Sequence, residues 1–274
     1  GYTIQDGVIV PNLTHSEIIE AVFSRTRVGV GLMTAAKLLS AVEPVIRYQR
    51  SRYRGATGIE SGSPRYDLGI QMKEDAIHRL ADVWATGEAA TSLGFETARA
   101  FDQLTPIEIQ VLRGFAEQGI SGRALMKALR KPQADAIELL TLLSKPAGER
   151  DEARIAELQA DPLVQYVWLS AVCNVICPAT KLWDTGHGAN MLREAVSLMG
   201  GYGITEDCPG FLFNKWTDAQ LEATYEGPEV VPGSAHEALW RAARQADAGD
   251  LTAARELLAL AVERGVAGTR LWDD

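Results

Sequence analysis

The chain is short of cysteine, of net positive charge and of long apolar runs. It holds three cysteines in 274 residues. Cys173, Cys177 and Cys208 make no short paired framework, which excludes a disulfide-stapled scaffold. Cys173 and Cys177 stand four apart in an apolar run, which predicts one helix face and buried thiols in a reducing cytosol. His187 is the only histidine within a few turns of them, so no metal site is expected. Lysine and arginine number 27 against 36 acidic residues, a formal net charge of −9. That argues against the basic face that nucleic acid requires. It leaves room for a few local arginines to hold an anion. No uninterrupted apolar run approaches the about 18 residues of a spanning helix, so no membrane span is expected. The opening GYTIQDGVIVPN has no basic stretch followed by an apolar core and does not read as a secretory leader. It reads as the middle of a longer protein.

What is present is ample apolar material, 46% of the residues, enough for a sizeable core. Residues 2–10 alternate weakly around Asp6-Gly7, which predicts a short hairpin or strand end, stopped by Pro11. Thr14 and Glu17 have capping-box spacing and predict a helix start. Long helical patterns cover residues 15–50, 66–103 and 164–199. Gly29, Gly31, Ala35 and Ala36 would let the first of these pack closely, and Pro44 predicts a kink or a break in it. Residues 51–64 read as a loop. Residues 105–163 read as short amphipathic stretches between Gly and Pro signals, with GERDEARIAELQADP solvated. A Gly-rich turn at 200–210 and a short helix at 211–224 follow. Residues 234–264 read as two antiparallel helices divided at Gly249-Asp250. The expectation is an all-α helix bundle. Its expected parts are the end of a β region at 1–13, a bundle at 14–232 with an insertion at about 105–163, and a helical hairpin at 233–274.

The stretch GGYGITEDCPGFLFNKWTDAQLEATYEG carries the chemical signal. Alone, a double glycine after a helix is an ordinary C-cap, and a lone Glu before Gly says little. Here the order and spacing are Gly200, Gly201, Gly203, Thr205, Glu206, Pro209, Asp218, Ala219, Tyr225, Glu226 and Gly227. This series resembles the C-terminal helical domain of the acyl-CoA dehydrogenase family. About two extra residues lie between Pro209 and Asp218. Two further blocks join it. Phe23-Ser24-Arg25-Thr26-Arg27 resembles the family's Phe-Asp-x-x-Arg segment, with Ser24 in place of Asp. Arg52-Tyr53-Arg54-Gly55 resembles its Arg-x-Gln-Gly segment, with Arg54 at the Gln.

The resemblance implies FAD-dependent α,β-dehydrogenation of an acyl-CoA thioester. Glu226 is the implied catalytic base. Arg52, Arg54, Gly200, Gly201 and Gly203 are the implied FAD contacts. Arg27, Tyr225 and Gly227 are the implied substrate contacts. Guanidinium forks suit phosphate oxygens, which agrees with the two arginines. Ser197 or Glu194 stands where the family has a Gln near the adenine, and Pro228-Glu229 where it has Thr-Ser. The family's N-terminal helical domain and β-barrel are missing from this sequence. The implied partners are therefore a companion subunit carrying those domains, the acyl-CoA substrate and an electron-transfer flavoprotein. A proteolytic piece is the other origin left open. A non-catalytic structural or regulatory subunit of such a complex is the alternative function, and an acyl-CoA oxidase is a third. A cytoplasmic location is expected.

Overall fold

The computed structural model of the chain describes residues 2–11, 15–52, 70 and 73–224. It is mostly helical, and the all-α class is the observed one. The Thr14 cap, Arg54, the 53–64 loop, Tyr225, Glu226, Gly227 and the hairpin at 233–274 fall outside the described residues.

Strands β1 (Tyr2–Gln5) and β2 (Val8–Pro11) form an antiparallel hairpin with Tyr2 opposite Pro11 and Gln5 opposite Val8. Asp6 and Gly7 both have positive φ, 52° and 78°, as a two-residue turn of the tight primed kind requires. Helix α1 (His15–Ser51) follows, then α2 (Glu74–Glu117), α3 (Gly122–Ala128), α4 (Arg130–Ser144), α5 (Glu152–Ala160), α6 (Pro162–Leu198) and α7 (Leu212–Glu222).

Three sequence expectations need correction. First, Pro44 does not break α1. A proline withholds the N–H that the carbonyl four residues earlier would accept. That carbonyl belongs to Ser40, and the Lys215 ammonium of α7 donates to it instead at 3.2 Å. Second, α2 does not stop near residue 103 but runs through Pro106 to Glu117. Beside that proline, the Thr105 hydroxyl donates to the Phe101 carbonyl at 2.7 Å and adds a bond to the weakened turn. Third, GERDEARIAELQADP is not merely solvated. Asp151 caps α5 by accepting from the Arg154 N–H at 3.0 Å, and Ile155 and Leu158 of that helix are buried.

The chain divides into two compact units. Unit 1 comprises residues 1–96 and 180–229, and unit 2 comprises 97–179 and 230–274. Unit 2 is thus wider than the expected 105–163 insertion, because it takes in parts of α2 and α6.

In unit 1, glycines fix how the helices lie. A methyl group at Gly94 would meet Leu32 at 2.5 Å, and one at Gly87 would meet Leu39 at 2.8 Å, so α2 runs antiparallel to α1. A methyl at Gly31 would meet the Asp184 carboxylate at 2.6 Å, and one at Gly188 would meet Thr34 at 2.6 Å, so α6 runs parallel to α1. Helix α7 returns antiparallel, with Gly210 under the Pro44 ring and Lys215 at Ser40. Leu38, Val45, Val83, Leu192, Met199 and Leu212 form the centre of the core. Full burial of each such side chain stabilises by about 1.5–3 kcal/mol.

In unit 2, helices α4 and α5 pack with the first part of α6 around Leu139, Ile155, Leu158, Val164 and Val167. Arg154 of α5 holds Glu138 of α4 through two bonds of 2.9 and 2.8 Å.

Two segments, Val22–Ser51 and Pro162–Leu198, are long and apolar enough by length and composition to cross a membrane, although each is interrupted by polar residues. The absence of an uninterrupted apolar run therefore does not exclude helices of that length and composition. Of the most apolar stretch in each, 44% and 50% is buried inside the protein.

Candidate functional site

Two of the three glycines of the GGYG turn are held by constraints, and they differ. Helix α6 ends at Leu198, and Gly200 has φ +61°, the left-handed conformation that closes a helix. Its missing side chain would meet nothing. Gly203 is buried, and a methyl there would overlap the Val196 carbonyl oxygen and approach Met199 Cβ at 3.1 Å. Gly201 has neither a positive φ nor a neighbour within reach of a methyl, and it is exposed. Of the three, Gly201 alone presents backbone to solvent with no conformational or packing demand of its own.

The turn lies at the C-terminal end of α1. The Tyr202 ring sits 5.9 Å from the Tyr48 ring. Arg52 is one helical turn beyond Tyr48, its N–H donating to the Tyr48 carbonyl at 2.9 Å, and its side chain is exposed. The structure therefore brings Arg52 and the glycine turn to the same end of unit 1.

Arg27 is not part of that grouping. It is 24 residues before Ser51, where α1 ends next to Arg52, about 36 Å along the helix at 1.5 Å per residue. It is half-buried, with its guanidinium 5.9 Å from the Phe23 ring centroid. Among the described residues, the coenzyme A candidate and the FAD candidates stand well apart.

Between them lies a group that the sequence reading missed. Helix α7 ends against the middle of α1, and its last residue, Glu222, is buried. One Glu222 carboxylate oxygen accepts from the Thr34 hydroxyl at 2.5 Å, and the other pairs with the Lys37 ammonium. Thr34 is itself seated in the notch at Gly188 of α6. Next to it, on α6, Asp184 is wholly buried opposite Gly31. Neither Asp184 oxygen has a hydrogen-bond partner. Burial pushes its carboxyl up to about 8. A signal for both acids was present in the helical pattern. Glu222 continues the buried series Leu212, Ala219 of α7, and Asp184 sits among the apolar positions of α6, where a charge is costly.

The residues at the expected adenine position are engaged with each other. Arg79 donates to Glu194 at 2.5 Å and to the Ser197 hydroxyl at 2.5 Å. The Arg79 guanidinium holds the Glu194 carboxyl below the usual carboxylate range.

Fold and site together define an all-α protein with a buried polar layer across its first bundle. Comparison of the chain with protein-family models, with curated proteins and with solved structures finds no match.

Proposed function

We propose that the chain supplies the catalytic base and part of the FAD and coenzyme A site of an acyl-CoA dehydrogenase, working with a companion subunit. The observation that carries this reading is the ordered series from Gly200 to Gly227 ending in Tyr225-Glu226-Gly227. The common location of Arg52 and the Gly200–Ile204 turn at one end of the bundle supports it.

On this reading Glu226 removes a proton from Cα of the thioester. Its own backbone N–H donates to the thioester oxygen as negative charge develops there. Tyr225 and Gly227 wall the acyl chain, and Arg27 holds the coenzyme A portion. Arg52 and Arg54 hold the dinucleotide's phosphates, with Gly201 giving close approach. FAD, when bound, supplies the acceptor for the β-hydride. The electrons then pass to an electron-transfer flavoprotein. A cytoplasmic setting accords with three free, buried cysteines.

Substituting Glu226→Gln in the reconstituted complex tests the proposal. Turnover falls by roughly 10²–10⁴-fold, the ordinary contribution of a positioned base, while flavin absorbance is retained. Unchanged turnover contradicts it. It would favour a second reading, a non-catalytic structural or regulatory subunit. The Arg79–Glu194–Ser197 cluster favours that reading, because these side chains are tied to one another where a dinucleotide contact is expected.

A further inference from the structure

We propose that the seam between α1 and α6 in unit 1 holds a buried proton-binding site, the carboxyl group of Asp184, whose proton keeps the seam closed. Three features of the geometry carry this. Asp184 has no solvent exposure. Its carboxylate occupies the space left by a missing side chain, 2.6 Å from where a methyl on Gly31 would stand. Neither oxygen accepts a hydrogen bond from the protein. An ionised carboxylate so placed has lost its water and gained nothing in return, whereas the protonated acid is a small neutral group.

Asp184 shares no hydrogen bond with the charged groups around the seam. On α1, Lys37 pairs with Glu222, and Arg27 lies over the Phe23 ring. On α7, both Glu222 oxygens are taken by Thr34 and Lys37. On α6 itself, the His187 ring lies 5.4 Å from Trp183, and Lys181, one turn before Asp184, makes its own contacts. On α2, Glu88 accepts from the Trp84 indole on the exposed side, and Glu96 is exposed. No hydrogen bond joins any of them to Asp184. Burial is the cause that moves its carboxyl from 3.8 to about 8.

The sign follows from linkage. Between those two values the folded chain carries a proton on Asp184 that the unfolded chain has released, so folding takes up a proton. Stability from this group is greatest at the acid end and declines as pH rises from about 4 through about 8. Above that the full cost of the buried charge is present.

Infrared spectroscopy of the full chain, titrated from about pH 5 to about pH 9.5, tests the site. The expected result is the carbonyl band of a dry, protonated carboxylic acid, absent from Asp184→Asn and lost with a midpoint near 8. Thermal unfolding gives a second readout. Asp184→Asn should raise Tm relative to the parent chain much more at about pH 9 than at about pH 5. Absence of the band across this whole range, as for a water-solvated carboxylate with the ordinary value near 3.8, overturns the proposal. So does a Tm difference between the two proteins that is the same at both pH values. If Asp184→Asn does not fold, the titration of the parent chain with isotope-labelled aspartate decides the matter alone.

Discussion

Unit 1 and unit 2 are built on parts of the same two long helices, α2 and α6, yet their interiors differ in kind. Unit 1 buries Thr34, Gln49, Thr86, Thr180, Lys181, Asp184, Thr185 and Glu222 among its apolar residues. In unit 2 the buried polar side chains among the described residues are Thr97 and Gln133. The Arg154 ion pairs with Glu138 and Glu157 in unit 2 are partly or largely exposed. A buried charge stabilises poorly compared with an apolar residue of the same shape. A core that retains several is therefore shaped by something besides stability. Among the described residues, buried polar side chains are concentrated in unit 1, and the core of unit 2 is mainly apolar.

The comparison can be broken by substitution in each unit. Leu139→Ala, at the centre of the unit 2 core, should cost about 3–4 kcal/mol through lost burial and the cavity left behind. Urea unfolding followed by circular dichroism should show the same loss at low and high salt. A loss that changed with ionic strength would mean that unit 2 is not held by apolar packing. Lys37→Met in unit 1 should cost about 2–3 kcal/mol, a value discounted because 17% of the Lys37 side chain is exposed. The cause is Glu222 left buried without its cation. Adding Glu222→Gln should recover part of the loss, and a double variant no better than the single one would contradict a coupled pair. The glycine turn gives the finest distinction. Gly203→Ala should cost about 1–3 kcal/mol by overpacking against Val196. Gly200→Ala should cost about 1 kcal/mol through its positive φ. Gly201→Ala should leave Tm unchanged, so any fall in flavin retention in that variant reports on a ligand rather than on the fold.

Much of this architecture was legible in the sequence. The first and third long helical patterns matched α1 and α6, the second caught α2 only as far as about residue 103, and the Asp6-Gly7 hairpin and α7 stand where the pattern put them. Apolar periodicity and turn chemistry are local, and each could be read without knowing a partner. The errors share a physical cause. Pro44 read as a kink or break because the group that compensates, Lys215, acts through geometry that residue spacing does not display. Helix α5 was hidden because a run of charges outweighed Ile155 and Leu158, which face the unit 2 core. Arg52 and the glycine turn were named from sequence through the resemblance, and both lie toward the C-terminal end of α1. Glu222, Thr34, Lys37 and Asp184 were not named, because their relation depends on helices distant in the chain coming side by side. The glycines at 31 and 188 were the clue to it. Each gives space to a polar side chain of the neighbouring helix.

The contrast between the units is tested most directly by hydrogen exchange of the full chain at about pH 6 and about pH 9.5, expressed as protection relative to the free peptide rate. The account predicts that protection falls with pH in the unit 1 parts of α1 and α6, around Gly31 and Asp184, and holds steady in α4 and α5. An equal fall in both units, or none in either, would contradict it.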